Sequence, residues 1–177
     1  EKKVSKKADV MNAAAALSLP LCKELGGKGY EAAGQLSVET FTTSSLEAMN
    51  AYAHAQELMK QGKRPEAIKE YERAVKADPS FGRAYSGLAV AYQNALDLKK
   101  AEEYLQLALA RLDSMNDREK YRTRGISYLM TKNYQQAIQE FSALVGRFPG
   151  DSAGHSNLAF AYFLARDMAK AVEQGLH

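Results

Sequence analysis

The sequence has no tryptophan, one cysteine and only 4 prolines in 177 residues. A single cysteine excludes an intrachain disulfide framework. A thiol nucleophile needs a base placed beside it. Cys22, between Leu21 and Lys23 in an apolar run, reads instead as a small buried hydrophobe. Long apolar runs are missing as well. The stretch at residues 13–21 falls well short of the roughly 20 residues a membrane span needs, and no signal-peptide cleavage site follows it. Nor is there an excess of one charge, with 24 basic residues set against 21 acidic ones for a net +3. They are interspersed rather than gathered in a stripe, which argues against nucleic acid as a partner. The KKVSKK run at residues 2–7 reads as a solvated end.

Catalytic and metal-binding patterns are equally scarce. The three histidines are His54, His155 and His177, and no His-Glu-x-x-His or Cys-x-x-Cys spacing occurs. No Gly-rich phosphate loop or His-Arg-Asp catalytic loop is present. Carboxylate pairs such as Glu70 and Glu72 sit beside Lys and Arg at helical spacing, as solvated ion pairs do. The expectation is a chain that is not an enzyme, with no metal and no cofactor.

What the chain has in quantity is alanine, tyrosine and repetition. Residues 76–92 read KADPSFGRAYSGLAVAY, and residues 146–162 read GRFPGDSAGHSNLAFAY. Ala67, Ala101, Ala137 and Ala171 occupy similar settings at separations of 34, 36 and 34. The period is 34 with one two-residue insertion, which falls in RLDSMNDREK, the junction that lacks a proline. Within each period, apolar residues recur at three and four, which is helical spacing. Pro79 and Pro149 stop one helix and set the start of the next. The tyrosines fall mostly on these apolar positions, where a ring fills the gap between helices and the hydroxyl reaches the edge.

The spacing aromatic-x2-Leu-Gly/Ala-x2-Tyr-x8-Ala-x3-Phe/Tyr-x2-Ala-x4-Pro resembles the tetratricopeptide repeat. Repeats at 48–81, 82–115 and 118–151, with a partial one at 152–177, cover about three quarters of the chain. The copies depart from the pattern at Ala51, His54, Asp113 and Arg124. The resemblance implies an all-α superhelix of helix-turn-helix repeats over residues 46–177. His54 and His155 then fall on packing positions. An extra helix at residues 7–25, kinked at Pro20, and a Gly- and Thr-rich connection would make up residues 1–45. Ser44 and Glu47 have the spacing of a capping box, which starts the first repeat helix at about Ser45.

Stacked repeats present a concave face lined by the first helix of each repeat. Carried onto this sequence, the family's ligand-facing positions include Tyr52, Gln56 and Met59; Arg83, Val90 and Gln93; Arg122 and Ile126; and Ser156, Phe160 and Phe163. Asn94 and Asn157 are further candidates for hydrogen-bonding a bound backbone. The mixture suits a protein or peptide partner. A subclass that clamps a terminal carboxylate uses Lys and Asn where this chain has Tyr52 and Gln56, so that mode is not expected.

TTSSLEAMNAY at residues 42–52 and SMNDREKYR at residues 114–122 are similar to repeat arrays in multidomain bacterial regulators of the serine/threonine kinase or winged-helix type. That similarity, and an opening at EKKVS rather than Met, make the chain read as part of a larger regulatory protein. A structural role in an envelope or secretion complex is the alternative. Either side of a membrane remains open as its location. The partial last repeat leaves Phe160, Phe163 and Leu164 without a following pair, so self-association through that end is also expected.

Overall fold

The computed structural model of the chain describes residues 42–176. The expected helix at residues 7–25, Cys22 and His177 lie outside the described residues. Those described form an all-α array without strands, whose helices pair in sequence. The first pair is α1 (Leu46–Lys60) and α2 (Arg64–Ala77), and the second is α3 (Gly82–Asn94) and α4 (Leu98–Leu109). The third is α5 (Asp117–Met130) and α6 (Tyr134–Arg147), and the fourth is α7 (Ser152–Leu164) and α8 (Met168–Gly175). The main packing is within each pair and between neighbouring pairs, as a stacked array requires.

Local chemistry sets the helix ends. α2 carries Pro65 in its first turn, where the missing N–H is no loss. Asp78 and Phe148 precede prolines; Asp78 is extended at φ −146° and Phe148 has left the helical region at φ −130°, so α2 and α6 stop there. The junction without a proline instead closes α4 with a 3-10 turn, Leu112–Ser114. Arg111 holds this turn in place. Its Nε donates to the Pro79 carbonyl at 2.7 Å and its guanidinium lies 4.0 Å from the Tyr85 ring centroid.

The expected capping box of Ser44 and Glu47 does not form. Ser45 is the cap of α1 and accepts from the Ala48 N–H at 3.2 Å. Thr43 Oγ1 accepts from the Ser45 N–H, which holds Ser45 extended one residue later than the sequence pattern implies. The capping box belongs to α5. Asn116 Oδ1 accepts from the Glu119 N–H at 2.9 Å, and the Glu119 carboxylate accepts from the Asn116 N–H at 3.1 Å.

The turn inside each repeat has one left-handed residue: Gly62, Leu96, Lys132 and Arg166, with φ between 62° and 74°. Their spacing repeats the 34, 36, 34 of the alanines. Glycine takes this conformation freely, whereas a Cβ is crowded there. Leu96 is 84% exposed and holds no packing that would be lost. Changing Leu96, Lys132 and Arg166 to glycine is therefore expected to stabilise the array by about 0.5–1 kcal/mol each, after the entropy that glycine adds to the unfolded chain. A thermal unfolding midpoint that fails to rise in the triple variant would refute this.

The core divides into two clusters. One gathers Ala48, Tyr52, Tyr71, Phe81, Leu88 and Tyr92 in the first two pairs. The other gathers Ala137, Phe141, Leu144, Leu158 and Ala161 in the last two. Small residues let the helices close up: a Cβ on Gly125 would lie 2.6 Å from the Phe141 ring, and one on Gly87 would overlap the ring of Tyr71.

Candidate functional site

The first helices of the pairs, α1, α3, α5 and α7, carry the candidate residues, and three groupings emerge. In the first, Tyr52 and Arg83 meet across α1 and α3. Arg83 Nη2 donates to the Tyr52 hydroxyl at 2.8 Å, and its guanidinium sits 5.8 Å from the ring centroid. Gln56 Nε2 donates to the hydroxyls of Tyr52 at 3.1 Å and Tyr71 at 2.6 Å. The Tyr52 ring also packs edge-on against Phe81, with centroids 5.2 Å apart. Burial, then the neighbouring Tyr52, drive the Tyr71 hydroxyl pKa well above its ordinary range, so it stays protonated.

The second grouping joins α5 to the start of α7. Asp151, 1% exposed, accepts from Arg118 Nε at 2.6 Å and Arg122 Nη2 at 2.6 Å, and caps α7 by accepting from the Gly154 N–H at 2.7 Å. Burial alone would raise the Asp151 carboxyl. The Arg122 charge and the hydrogen bonds from Arg122, Arg118 and Gly154 outweigh it and hold the pKa below the usual carboxylate value. Arg122 is thus engaged within the array.

The third grouping is on α7. Phe160 and Phe163 stack with centroids 6.5 Å apart, and each is more than half exposed. Ser156 is exposed on the same helix, its hydroxyl donating to the Ser152 carbonyl at 2.9 Å. Between these groupings Met59, Val90, Gln93 and Ile126 are half-buried. Asn157 is half-buried, and Asn94 is exposed as the last residue of α3. Neither asparagine follows the four-position pattern of the other candidates.

Sequence reasoning missed Asp151 and the approach of the chain to Glu119. The Thr42 N–H donates to Glu119 Oε1 at 3.3 Å and its hydroxyl to Oε2 at 2.8 Å. The hydroxyl of Thr43 donates to Asp78. The Pro-Gly-Asp-Ser run at 149–152 is a readable cap for α7, but its two arginine partners are about thirty residues away. His54 is not a packing residue: its side chain is 60% exposed and lies 3.6 Å from Glu70 Oε2. Helix α1 turns that position outward, with Ala51 and Ala55 filling the interface in its place. His155 is half-buried, with Nδ1 at 3.0 Å from Gln174 Oε1 and Nε2 at 3.0 Å from the Pro149 carbonyl. Among the described residues, no group of three or more His, Cys, Asp or Glu is placed to hold a metal ion. No described helix is long and apolar enough to cross a membrane.

A family profile described as "Tetratricopeptide repeat" matches residues 52–116 and 122–176, which together exceed half the sequence. The chain belongs to the tetratricopeptide repeat family. Several solved structures are similar to this chain. PilF of Pseudomonas aeruginosa is 27% identical, with a TM-score of 0.50 over 75% of this chain and 60% of that one. A tetratricopeptide repeat protein from Parabacteroides merdae is 18% identical, with a TM-score of 0.49 over 72% of this chain and 49% of that one. This chain therefore spans about half to three fifths of those two proteins. The first tetratricopeptide domain of Spaghetti (RPAP3), solved with the HSP90 peptide SRMEEVD, is 22% identical with a TM-score of 0.48 over 72% of this chain and 99% of that one. No curated protein matches the sequence.

Proposed function

We propose that this chain is a non-catalytic interaction module that holds a peptide or a partner protein against its first helices. One observation carries the reading. Phe160 and Phe163 form a stacked aromatic pair, more than half exposed, on the first helix of the last repeat. Large exposed rings are costly to leave in water and are the side chains that most often anchor a partner. The first helices α5 and α3 also carry half-buried Ile126 and Val90, and Gln93 and Ser156 add polar side chains on α3 and α7. Mixed apolar and polar lining suits an amphipathic helix or an extended segment. The similarity of residues 42–52 and 114–122 to bacterial regulators makes a larger signalling protein the setting for this module.

Peptides selected from a random library on the immobilised chain provide the test. Their affinity is expected to fall at least about tenfold in Phe160→Ala and in Phe163→Ala, the loss of one aromatic anchor. Both rings are exposed, so the fold should survive either change. A selection that yields no binder, or binders indifferent to both rings, would overturn the reading.

A further inference from the structure

The array is not packed evenly along its length. α2 and α3 press closely, as do α6 and α7, whereas α4 and α5 touch only lightly. The buried cores follow the same division. Ala67, Tyr71 and Ala74 of α2 share one cluster with Ala84, Leu88 and Ala91 of α3. Ala137, Phe141 and Leu144 of α6 share the other with Leu158 and Ala161 of α7. Among the described residues, the two clusters have no buried member in common, and Leu105 and Ala108 of α4 are buried outside both.

The sequence accounts for the division. Leu88 is fully buried in the first cluster, but the matching place in repeat 3 holds Arg124. Its Nε donates to Glu140 Oε2 at 2.9 Å inside its own repeat, and the side chain stays half-buried. A charged group is costly to bury, so this place adds no apolar bridge between the cores. Tyr121 and Tyr128 on the same helix are half-buried, where their counterparts Tyr85 and Tyr92 are buried. The joint itself is the 3-10 turn, with its two-residue insertion and no proline. Met115, 4% exposed, spans it. A Cβ on Gly82 of α3 would overlap the Met115 side chain, whose sulfur accepts from the Thr123 hydroxyl of α5 at 3.4 Å. An unbranched thioether can keep such contacts through a change of angle. Thr42 and Glu119 add hydrogen bonds across the same joint.

We propose that residues 110–116 are a hinge joining two blocks, repeats 1–2 and repeats 3–4, each of which opens and moves as a unit. Within a block one core passes from repeat to repeat, so close packing holds the two repeats rigid. At the hinge, a few side-chain contacts and hydrogen bonds are what resist a change of angle. Short connections at the ends of packed elements are where such bending is absorbed. The grouping of Tyr52 and Arg83 belongs to the first block, and the stacked Phe160 and Phe163 to the second. The hinge angle then sets the span of any partner that touches both. The hinge itself requires no partner; only that last consequence rests on the interaction reading above.

Hydrogen exchange on the full chain, with and without Leu144→Ala, tests the division. Leu144 is fully buried in the second block. Emptying such a site should lower amide protection across α5, α6 and α7 by at least about thirtyfold. Protection in α1–α4 should change by no more than about twofold, as for an independent site. Leu88→Ala should do the reverse, with the loss confined to α1–α4. In a uniform array the loss would fade repeat by repeat. A loss that grades through α4 and α3, or that all helices share, would overturn the proposal. So would a Leu144→Ala chain that does not fold at all, since the first block would then depend on the second. Wild type in low urea gives the same reading without a mutation. Two groups of amides that open separately, divided at residues 110–116, support the hinge, and one common opening overturns it. The change of angle is read from spin labels in a Cys22→Ser background. Labels on Lys69→Cys and Gln139→Cys, exposed on α2 and α6, should give a broader distance distribution than labels on Lys69→Cys and Glu103→Cys within the first block. Equal widths would overturn the hinge.

Discussion

Asp151→Ala is expected to destabilise the array by about 3–4 kcal/mol, enough to unfold much of its second half. The carboxylate is buried with the Arg122 guanidinium and also takes a hydrogen bond from Arg118. Removing one partner from a buried ion pair costs about 3–5 kcal/mol, because the other charge keeps its desolvation cost. The lower part of that range applies here because Arg122 has further partners. The lost cap on α7 adds about 1 kcal/mol. Asp151→Asn separates the two contributions, since an amide oxygen can still accept from Gly154 while the charge is gone. Urea titrations followed by circular dichroism should show a lower midpoint for both variants, lowest for alanine. Equal stability to wild type in either would show that the pair contributes nothing net.

The same carboxylate sets an acid limit. Its folded pKa lies below its unfolded value, so it contributes stability that is complete above about pH 4. That contribution is lost as pH falls through the folded pKa. Between neutral pH and pH 3, wild type should therefore lose more stability than Asp151→Asn, and the gap between the two should narrow with acid.

Phe141→Ala should cost about 3–5 kcal/mol, the usual cost of emptying a fully buried aromatic site. The Gly125 backbone lies against the outer end of this ring, where a Cβ would come within 2.6 Å of two ring carbons and 2.9 Å of a third. Gly125→Ala alone should then cost about 1–3 kcal/mol by overpacking. In the Gly125→Ala background, however, Phe141→Ala removes the atoms that the new methyl strikes. The double variant should be more stable than the sum of the two losses by at least about 1 kcal/mol. Strict additivity would mean that helix α5 moves away to admit the methyl, and that the glycine is not needed for close packing.

The repeat was readable because it is written in spacing: Ala67, Ala101, Ala137 and Ala171 mark one face of the second helices, and a period survives an insertion of two. The all-α fold followed from the helical spacing inside that period and from its resemblance to the tetratricopeptide pattern. Turn conformation was less legible. Only Gly62 announces a left-handed residue, while Leu96, Lys132 and Arg166 take the same backbone with side chains that give no such signal. The first helix start was misplaced by one because Ser44 and Ser45 are both competent caps, and Thr43 decides between them. At the candidate face, Phe160 and Phe163 were visible as apolar residues on an exposed position. The Arg122–Asp151 pair was not, since nothing local in the sequence couples two side chains twenty-nine residues apart. The same holds for Thr42 and Glu119.

That last contact has a consequence in time. The two residues stand 77 apart in the chain, while repeat packing joins near neighbours. During synthesis at about 5–20 residues per second, Thr42 emerges some 4–15 s before Glu119 exists to receive it. Repeats 1 and 2 can stack in that interval. The contact that ties the lead-in of α1 to the start of α5 can thus form only after the third repeat has left the ribosome.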